Sequence, residues 1–138
     1  MRDVGEPTFE EERLVGVRVR DSVVVKDSGK REEFDTGSRR DTQDGKGRYD
    51  LLPAHAIFLV SRQFEEGAKK YGTNNWKLGQ PLSRFLCSGL RHLFKHMAGH
   101  TDERHDVAAA WNILCMIETR DMIERGVLPA ELNDSEIK

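Results

Sequence analysis

Cysteine is scarce. Of the 138 residues only Cys87 and Cys115 are cysteines, 28 positions apart and without a CxxC or Cys/His spacing beside them. That excludes a disulfide framework and makes a zinc knuckle a poor fit. Both thiols sit in apolar, helix-like stretches, where a small buried side chain in a reducing compartment is the expectation. Long apolar runs are missing too. Nothing approaches the ~18 residues of a membrane span, and the start Met1-Arg2-Asp3-Val4-Gly5-Glu6 lacks the apolar segment of a secretory signal. A cytoplasmic protein without a membrane partner is therefore expected. Neither sign of charge is in excess: 22 basic against 24 acidic side chains give a net charge of −2 and a pI near 6.2. That balance argues against a coat for DNA or RNA, so stable nucleic-acid binding is not expected. No internal repeat or low-complexity segment stands out.

What is abundant is charge as such. Charged side chains make up 33% of the chain, against about 25% in an average domain. The length predicts one domain with a modest core. Residues 1–36 form an N-terminal arm: Leu14–Arg20 alternates apolar and polar residues, and Ser22–Lys26 is a second β-branched run, which predicts a β-hairpin or a lent strand. Residues 37–52 carry glycines, aspartates and cations without an apolar period, and read as loop. Helical periodicity takes over beyond them. The first helix is predicted over Pro53–Tyr71, with a buried stripe of Ile57, Val60, Phe64, Ala68 and Tyr71 and a stop at Gly72. The second runs from about Pro81 to Ala98, with Phe85, Leu86, Leu90, Leu93, Phe94 and Met97 as its apolar face. The third starts at Thr101 to Glu103 and ends at Arg125, and its Ala108-Ala109-Ala110 lets another helix come close. Residues 37–126 form the functional domain, and 127–138 form a polar, loosely attached tail. Three helices make a thin core, so a homo-oligomer, dimer or tetramer, is expected.

Carboxylates inside the helices are the first candidates for chemistry. Glu65 and Glu66 flank the apolar stripe of the first helix. Glu103 and Asp106 are three residues apart, about 60° around a helix, and so share a face. Two helices presenting carboxylates across a cleft can build an all-oxygen site for Mg²⁺ or Mn²⁺, and such ions bridge phosphates and activate water. The bland alternative pairs Glu66 with Lys69 or Lys70 and leaves Glu103 as a helix-start charge. His92, His96 and His100 fall at four-residue steps; this spacing suits zinc, but a polar, phosphate-side or partner-facing row is the stronger reading. His105-Asp106 matches the HD dipeptide of metal-dependent phosphohydrolases. In the loop, Arg39, Arg40, Lys46 and Arg48 outnumber Asp41 and Asp44. Its glycines allow close approach to an anion, although the order is not a Walker loop and a solvated linker has the same composition. Asn74-Asn75-Trp76 offers amide edges and an aromatic face to a purine, or a core plug at the helix corner. Asn112, in an apolar run, either ties helices together or reaches a ligand.

Taken in order, these segments resemble a known family. Phe34-Asp35-Thr36-Gly37, Gly45-Lys46-Gly47-Arg48-Tyr49-Asp50-Leu51-Leu52-Pro53, Glu66-Gly67-Ala68-Lys69-Lys70-Tyr71-Gly72, Asn75-Trp76, Ser83-Arg84-Phe85, Arg91-His92-Leu93 and His105 through Asn112 are similar to the phage and bacterial dATP/dGTP diphosphohydrolases, distant relatives of the MazG nucleotide pyrophosphohydrolases. The resemblance covers residues 34 to about 120. It implies an all-α, MazG-like helical bundle, oligomeric and dependent on two or three Mg²⁺ or Mn²⁺ ions, that converts a deoxynucleoside triphosphate to the monophosphate. MazG enzymes hold their ions with E-x-x-E on one helix and E-x-x-D on a later one. Glu103 and Asp106 match the second half; in the first, Glu65 and Glu66 are adjacent, and Lys69 stands three residues after Glu66. The resemblance thus implies Glu65, Glu66, Glu103 and Asp106 as catalytic metal ligands. It leaves Arg39, Lys46, Arg48, Lys69, Lys70, Asn75, Trp76, Arg91, His92 and Asn112 to bind the nucleotide. Within the family it extends to the enzymes of phages that replace adenine with 2-aminoadenine, which implies dGTP as favoured substrate, dATP as a second, and dGMP for modified phage DNA made in the host cytoplasm. Two other readings stand beside it: an HD-type phosphohydrolase using His92, His105 and Asp106, and a non-enzymatic phage protein binding nucleic acid through the basic loop.

Overall fold

The computed structural model describes residues 25–136. The strands expected over 14–20 and 22–26 lie, apart from Val25 and Lys26, outside the described residues. The chain divides into two compact units between Leu52 and Pro53, and each is described by itself.

The first unit contains an antiparallel hairpin, β1 (Arg31–Glu33) and β2 (Arg39–Asp41), in the register Arg31–Asp41, Glu32–Arg40, Glu33–Arg39. Part of the segment expected to be loop is therefore strand. The reason is electrostatic. Arg31 faces Asp41 at 3.8 Å and Arg39 faces Glu33 at 3.4 Å, and opposite charges directly across two strands support pairing without an apolar alternation. The turn closes with Gly37 N–H donating to Phe34 O (2.7 Å), Gly37 taking φ +82°.

The second unit is helical: α1 (Ala54–Tyr71), α2 (Leu82–Met97) and α3 (His105–Glu124). Together with the hairpin this is an all-α architecture with a short β element. Among the described residues no helix is long and apolar enough to cross a membrane. α3 starts later than expected, because Thr101–Arg104 remain in the connection. The core is small. Leu82, Phe85 and Cys115 are fully enclosed, with Phe64, Trp76, Trp111, Met116 and Ile123 packed around them. Burial pushes the Cys115 thiol up to about 12, which keeps it protonated and inert.

Only part of each predicted apolar face is covered. On α1, Val60 is buried but Ile57 and Tyr71 are exposed; on α2, Phe94 and Met97 are 65% and 78% exposed. Cys87, expected to be buried, is exposed, on a side of α2 that also leaves Leu90 and Phe94 exposed. The tail, expected to be loose, folds back instead. Leu128 and Leu132 lie so near Gly79 that a β-carbon there would be 3.1 and 3.0 Å from them. Asp134 accepts hydrogen bonds from the Ser83 backbone N–H (2.8 Å) and hydroxyl (2.6 Å). A carboxylate from the far end of the chain thus satisfies donors at the start of α2 that the helix itself leaves unpaired. The same bonds hold the Asp134 carboxyl below its ordinary value.

Phe85→Ala is expected to cost about 3–5 kcal/mol in denaturant unfolding, by emptying the core. Asp134→Asn should lower Tm by less than that change does. Because Asp134 titrates lower when folded, its contribution is present at neutral pH and fades as pH falls through the carboxylate range. The Tm difference between wild type and Asp134→Asn should therefore shrink on acidification.

Candidate active site

Four segments of the helical unit enclose a cleft of about 700 Å³, a size suited to a nucleotide-scale ligand. The C-terminal half of α1 supplies Phe64, Glu65, Ala68 and Tyr71, the connection supplies Thr73–Trp76 and Gln80, and α2 supplies Arg84, Cys87, Ser88 and Arg91. Trp111 and Asn112 of α3 complete it. Each contribution follows from local structure. Asn74 adopts a left-handed φ of +61°, a conformation that asparagine tolerates better than most residues, and so turns Asn75 and Trp76 back against α1. Phe64 anchors the aromatic wall, with ring centroids 6.0 Å from Trp76 and 5.7 Å from Trp111. Arg84, Ser88 and Arg91 recur at steps of four and three, so one face of α2 presents two guanidinium groups, and Arg91 donates to Ser88 Oγ (3.0 Å).

The chemistry of this lining is specific. It offers flat aromatic surface, amide edges, two cations and a single carboxylate, Glu65, which pairs with Arg62 at 3.0 Å in an exposed contact. Exposed pairs of this kind are weak and exchange partners at little cost. Buried Asn112 donates from Nδ2 to Ala108 O (2.9 Å), which leaves its amide oxygen available. Trp111 Nε1 is buried without a partner, an indole donor at the border of the cleft.

A second, smaller cleft of about 430 Å³ lies at the α2–α3 corner, lined by His96, His100 and Thr101–Asp106. His105 is wholly enclosed. Its Nδ1 lies 2.8 Å from Nδ1 of His92, and its Nε2 lies 2.8 Å from Asp102 Oδ1. A carboxylate only accepts, so the proton of that last contact sits on His105 Nε2. The bond holds the Asp102 carboxyl below its ordinary value, and burial pushes His92 down. Glu103 Oε2 is 3.9 Å from His105 Nδ1.

The structure sorts the residues expected from the sequence into three groups. Glu65, Asn75, Trp76, Arg91 and Asn112 share the large cleft. Glu103 and Asp106 line the small one, where Arg104 grips Asp106 at 2.9 and 3.0 Å and holds its carboxyl well below the ordinary range. Glu66 pairs with Lys69 at 2.9 Å, and Lys70 lies over the Tyr71 ring; neither lysine is part of the large cleft's lining. His92 faces His105 rather than that cleft. In the hairpin unit Arg39 pairs with Glu33, Lys46 with Asp41 (2.6 Å) and Arg48 with Asp50 (2.6 Å). Sequence reasoning passed over Arg84, Gln80 and Trp111. The i, i+4, i+7 row Arg84–Ser88–Arg91 was the available signal for the first.

An aromatic and amide cleft with two arginines on one helix face has the lining that suits a phosphorylated, base-bearing ligand. The chain belongs to the dATP/dGTP diphosphohydrolase family: the sequence model described as dATP/dGTP diphosphohydrolase, N-terminal, matches residues 36–125. It is therefore an enzyme acting on deoxynucleoside triphosphates. Comparison with curated proteins and with solved structures finds no match.

Trp76 and Trp111 are the two tryptophans of the chain and both border the large cleft. A non-hydrolysable dATP or dGTP analogue is thus expected to change the intrinsic fluorescence saturably, with a smaller change in Trp76→Phe. An unaltered emission spectrum at saturating nucleotide would place the ligand elsewhere.

Proposed function

We propose that this enzyme hydrolyses a purine deoxynucleoside triphosphate, dGTP in preference to dATP, to the monophosphate, with the nucleotide in the large cleft. The observation that carries this reading is the placement of Arg84 and Arg91 on one wall, beside Glu65 and next to the Trp76–Phe64–Trp111 aromatic cluster. The rings take the base by stacking. Asn75, Gln80 and Asn112 supply donors and acceptors for its edge, and the preference for guanine follows from the family resemblance. The two guanidinium groups offset the triphosphate charge and the charge that builds up as water attacks phosphorus. The dGMP so formed would feed synthesis of modified phage DNA.

The lining also fits a hard divalent ion, Mg²⁺ or Mn²⁺. Mg²⁺ commonly uses one or two carboxylates together with substrate phosphates, and Glu65, the cleft's carboxylate, provides that anchor. Such an ion neutralises phosphate charge and lowers the pKa of bound water. Glu66, Glu103 and Asp106 are engaged away from this cleft, so Glu65 is the ligand we assign first.

The active form is a homo-oligomer. Leu90, Leu93, Phe94 and Met97 on α2 and Ile113, Leu114 and Ile117 on α3 are all exposed, more apolar surface than two helices of a monomer usually show to water. A second copy of the same faces covers them most simply.

With Mg²⁺ or Mn²⁺, dGTP should yield dGMP on ion-exchange chromatography, and Arg91→Ala should lower kcat/KM by about 10²–10³-fold. Glu65→Gln should abolish the response to added metal while Lys69→Ala retains it. Full metal-dependent turnover in Glu65→Gln would remove this residue from the site. Phe94→Glu combined with Met97→Glu should reduce the mass seen by light scattering to that of one chain; an unchanged mass would place the interface elsewhere.

A further inference from the structure

The α2–α3 corner holds a cluster that nucleotide hydrolysis in the large cleft does not use. Nδ1 of His92, Nδ1 of His105 and a carboxylate oxygen of Glu103 can all lie within 4.8 Å of one another. We propose that these three side chains form a second metal site, selective for a borderline transition ion of the zinc and cobalt class over Mg²⁺. Four features of the corner support it.

The donor set comes first. Two imidazole nitrogens and one carboxylate suit Zn²⁺, Co²⁺ or Ni²⁺, whereas Mg²⁺ prefers oxygen throughout. Orientation is the second. Asp102 accepts the His105 Nε2–H at 2.8 Å, which fixes the tautomer that leaves the Nδ1 lone pair facing the cluster. A carboxylate behind a ligating histidine is the usual outer support of such sites. Spacing is the third: bonds of ~2.0–2.1 Å put tetrahedral ligand atoms about 3.3 Å apart. The His92–His105 contact of 2.8 Å has only to open slightly, and the His105–Glu103 distance of 3.9 Å has only to close. Access is the fourth. Glu103 borders the 430 Å³ cleft and its side chain is 55% exposed, so an ion would enter from the side of this carboxylate, and the fourth position is left to water.

Without the ion, His92 Nδ1–H donates to His105 Nδ1. When the ion binds, that proton moves to the outer nitrogen of His92, and both inner nitrogens become ligands. The ion then ties the last turns of α2 to the first residue of α3 and to the connection between them. It acts as a clamp at the corner, independent of the ion that accompanies the nucleotide.

The test is a titration of chelator-treated full-length protein with Co²⁺, followed by visible absorption. One equivalent should produce the d–d bands of a low-coordinate nitrogen–oxygen site and raise Tm. Zn²⁺ should abolish the bands, and excess Mg²⁺ should not. His105 is fully enclosed, and its replacement risks the fold, so His92→Gln and Glu103→Gln are the informative variants, each with its helicity checked by circular dichroism. Both should weaken Co²⁺ binding at least tenfold, while Asp106→Asn keeps it. Absence of bands in wild type, bands that survive in the His92→Gln, Glu103→Gln double variant, or loss in Asp106→Asn alone would overturn the assignment.

Discussion

α2 packs against α3 at Gly89, where a β-carbon would stand in ordinary contact, 3.5 Å from Asn112 Cβ and 3.6 Å from Ile113 Cδ1. The small side chains of Ala108 and Ala109 keep the facing surface low. This contact sets the positions of both clefts. On one side of it the row Arg84–Ser88–Arg91 comes to border Trp111 and Asn112. Beyond its far end, His92 meets His105. A helix pair held further apart would separate the guanidinium groups from the aromatic wall and break the contact between the two histidines. The α2–α3 contact thus works together with the small apolar core to place the two clefts.

The ends of α2 are held by charge and by hydrogen bonds as well as by apolar packing. At its start, Asp134 returns from the end of the described chain to accept from Ser83, while Leu128 and Leu132 close over Gly79. Near its other end, His92, His105 and Asp102 form a relay of two 2.8 Å contacts. Such polar contacts are directional, so they fix the rotation of α2 about its axis as well as its height. Which of its residues face the large cleft depends on that rotation. The high charged content of the chain thus has a structural use: the hairpin, the tail and the α2–α3 corner are all joined through carboxylates.

The helices were legible because a 3.6-residue period survives in any sequence that buries one stripe. Pro53, Gly72 and the acidic start of the third helix marked the bounds to within a few residues. The hairpin at 31–41 was hidden because its pairing rests on Arg31 opposite Asp41 and Glu33 opposite Arg39, a charge pattern that an apolar alternation search passes over. Of the candidate site, Trp76, Asn75, Arg91 and Asn112 could be found, since an aromatic, an amide or a cation in an unusual setting is visible residue by residue. Partnership between carboxylates was not. Glu66 and Lys69 are as near each other in sequence as Glu103 and Asp106. Only the fold shows that Glu66 is occupied by that lysine, that Arg104 grips Asp106, and that Glu103 is turned toward two histidines. The position of Asp102 behind His105 depends on how the connection is folded, and no spacing rule reports that.

The two clefts differ in the kind of ion they can hold, and that difference bears on how one small domain handles a triphosphate. The large cleft has one carboxylate and a lining of amides, hydroxyls and guanidinium groups, so an ion there must bring most of its ligands with it as water and phosphate oxygen. Under the proposed function its occupancy would be tied to the nucleotide. The corner, in contrast, offers two imidazole nitrogens, that of His105 oriented by Asp102, so an ion at the proposed site would be held by the protein itself. An ion that comes and goes with substrate suits turnover, because product release does not have to break a permanent coordination sphere. An ion held by the fold suits the maintenance of helix geometry. Separating the two proposed roles would let a domain with a core built on Leu82, Phe85 and Cys115 keep α2 in register while the charge in the large cleft changes with each cycle.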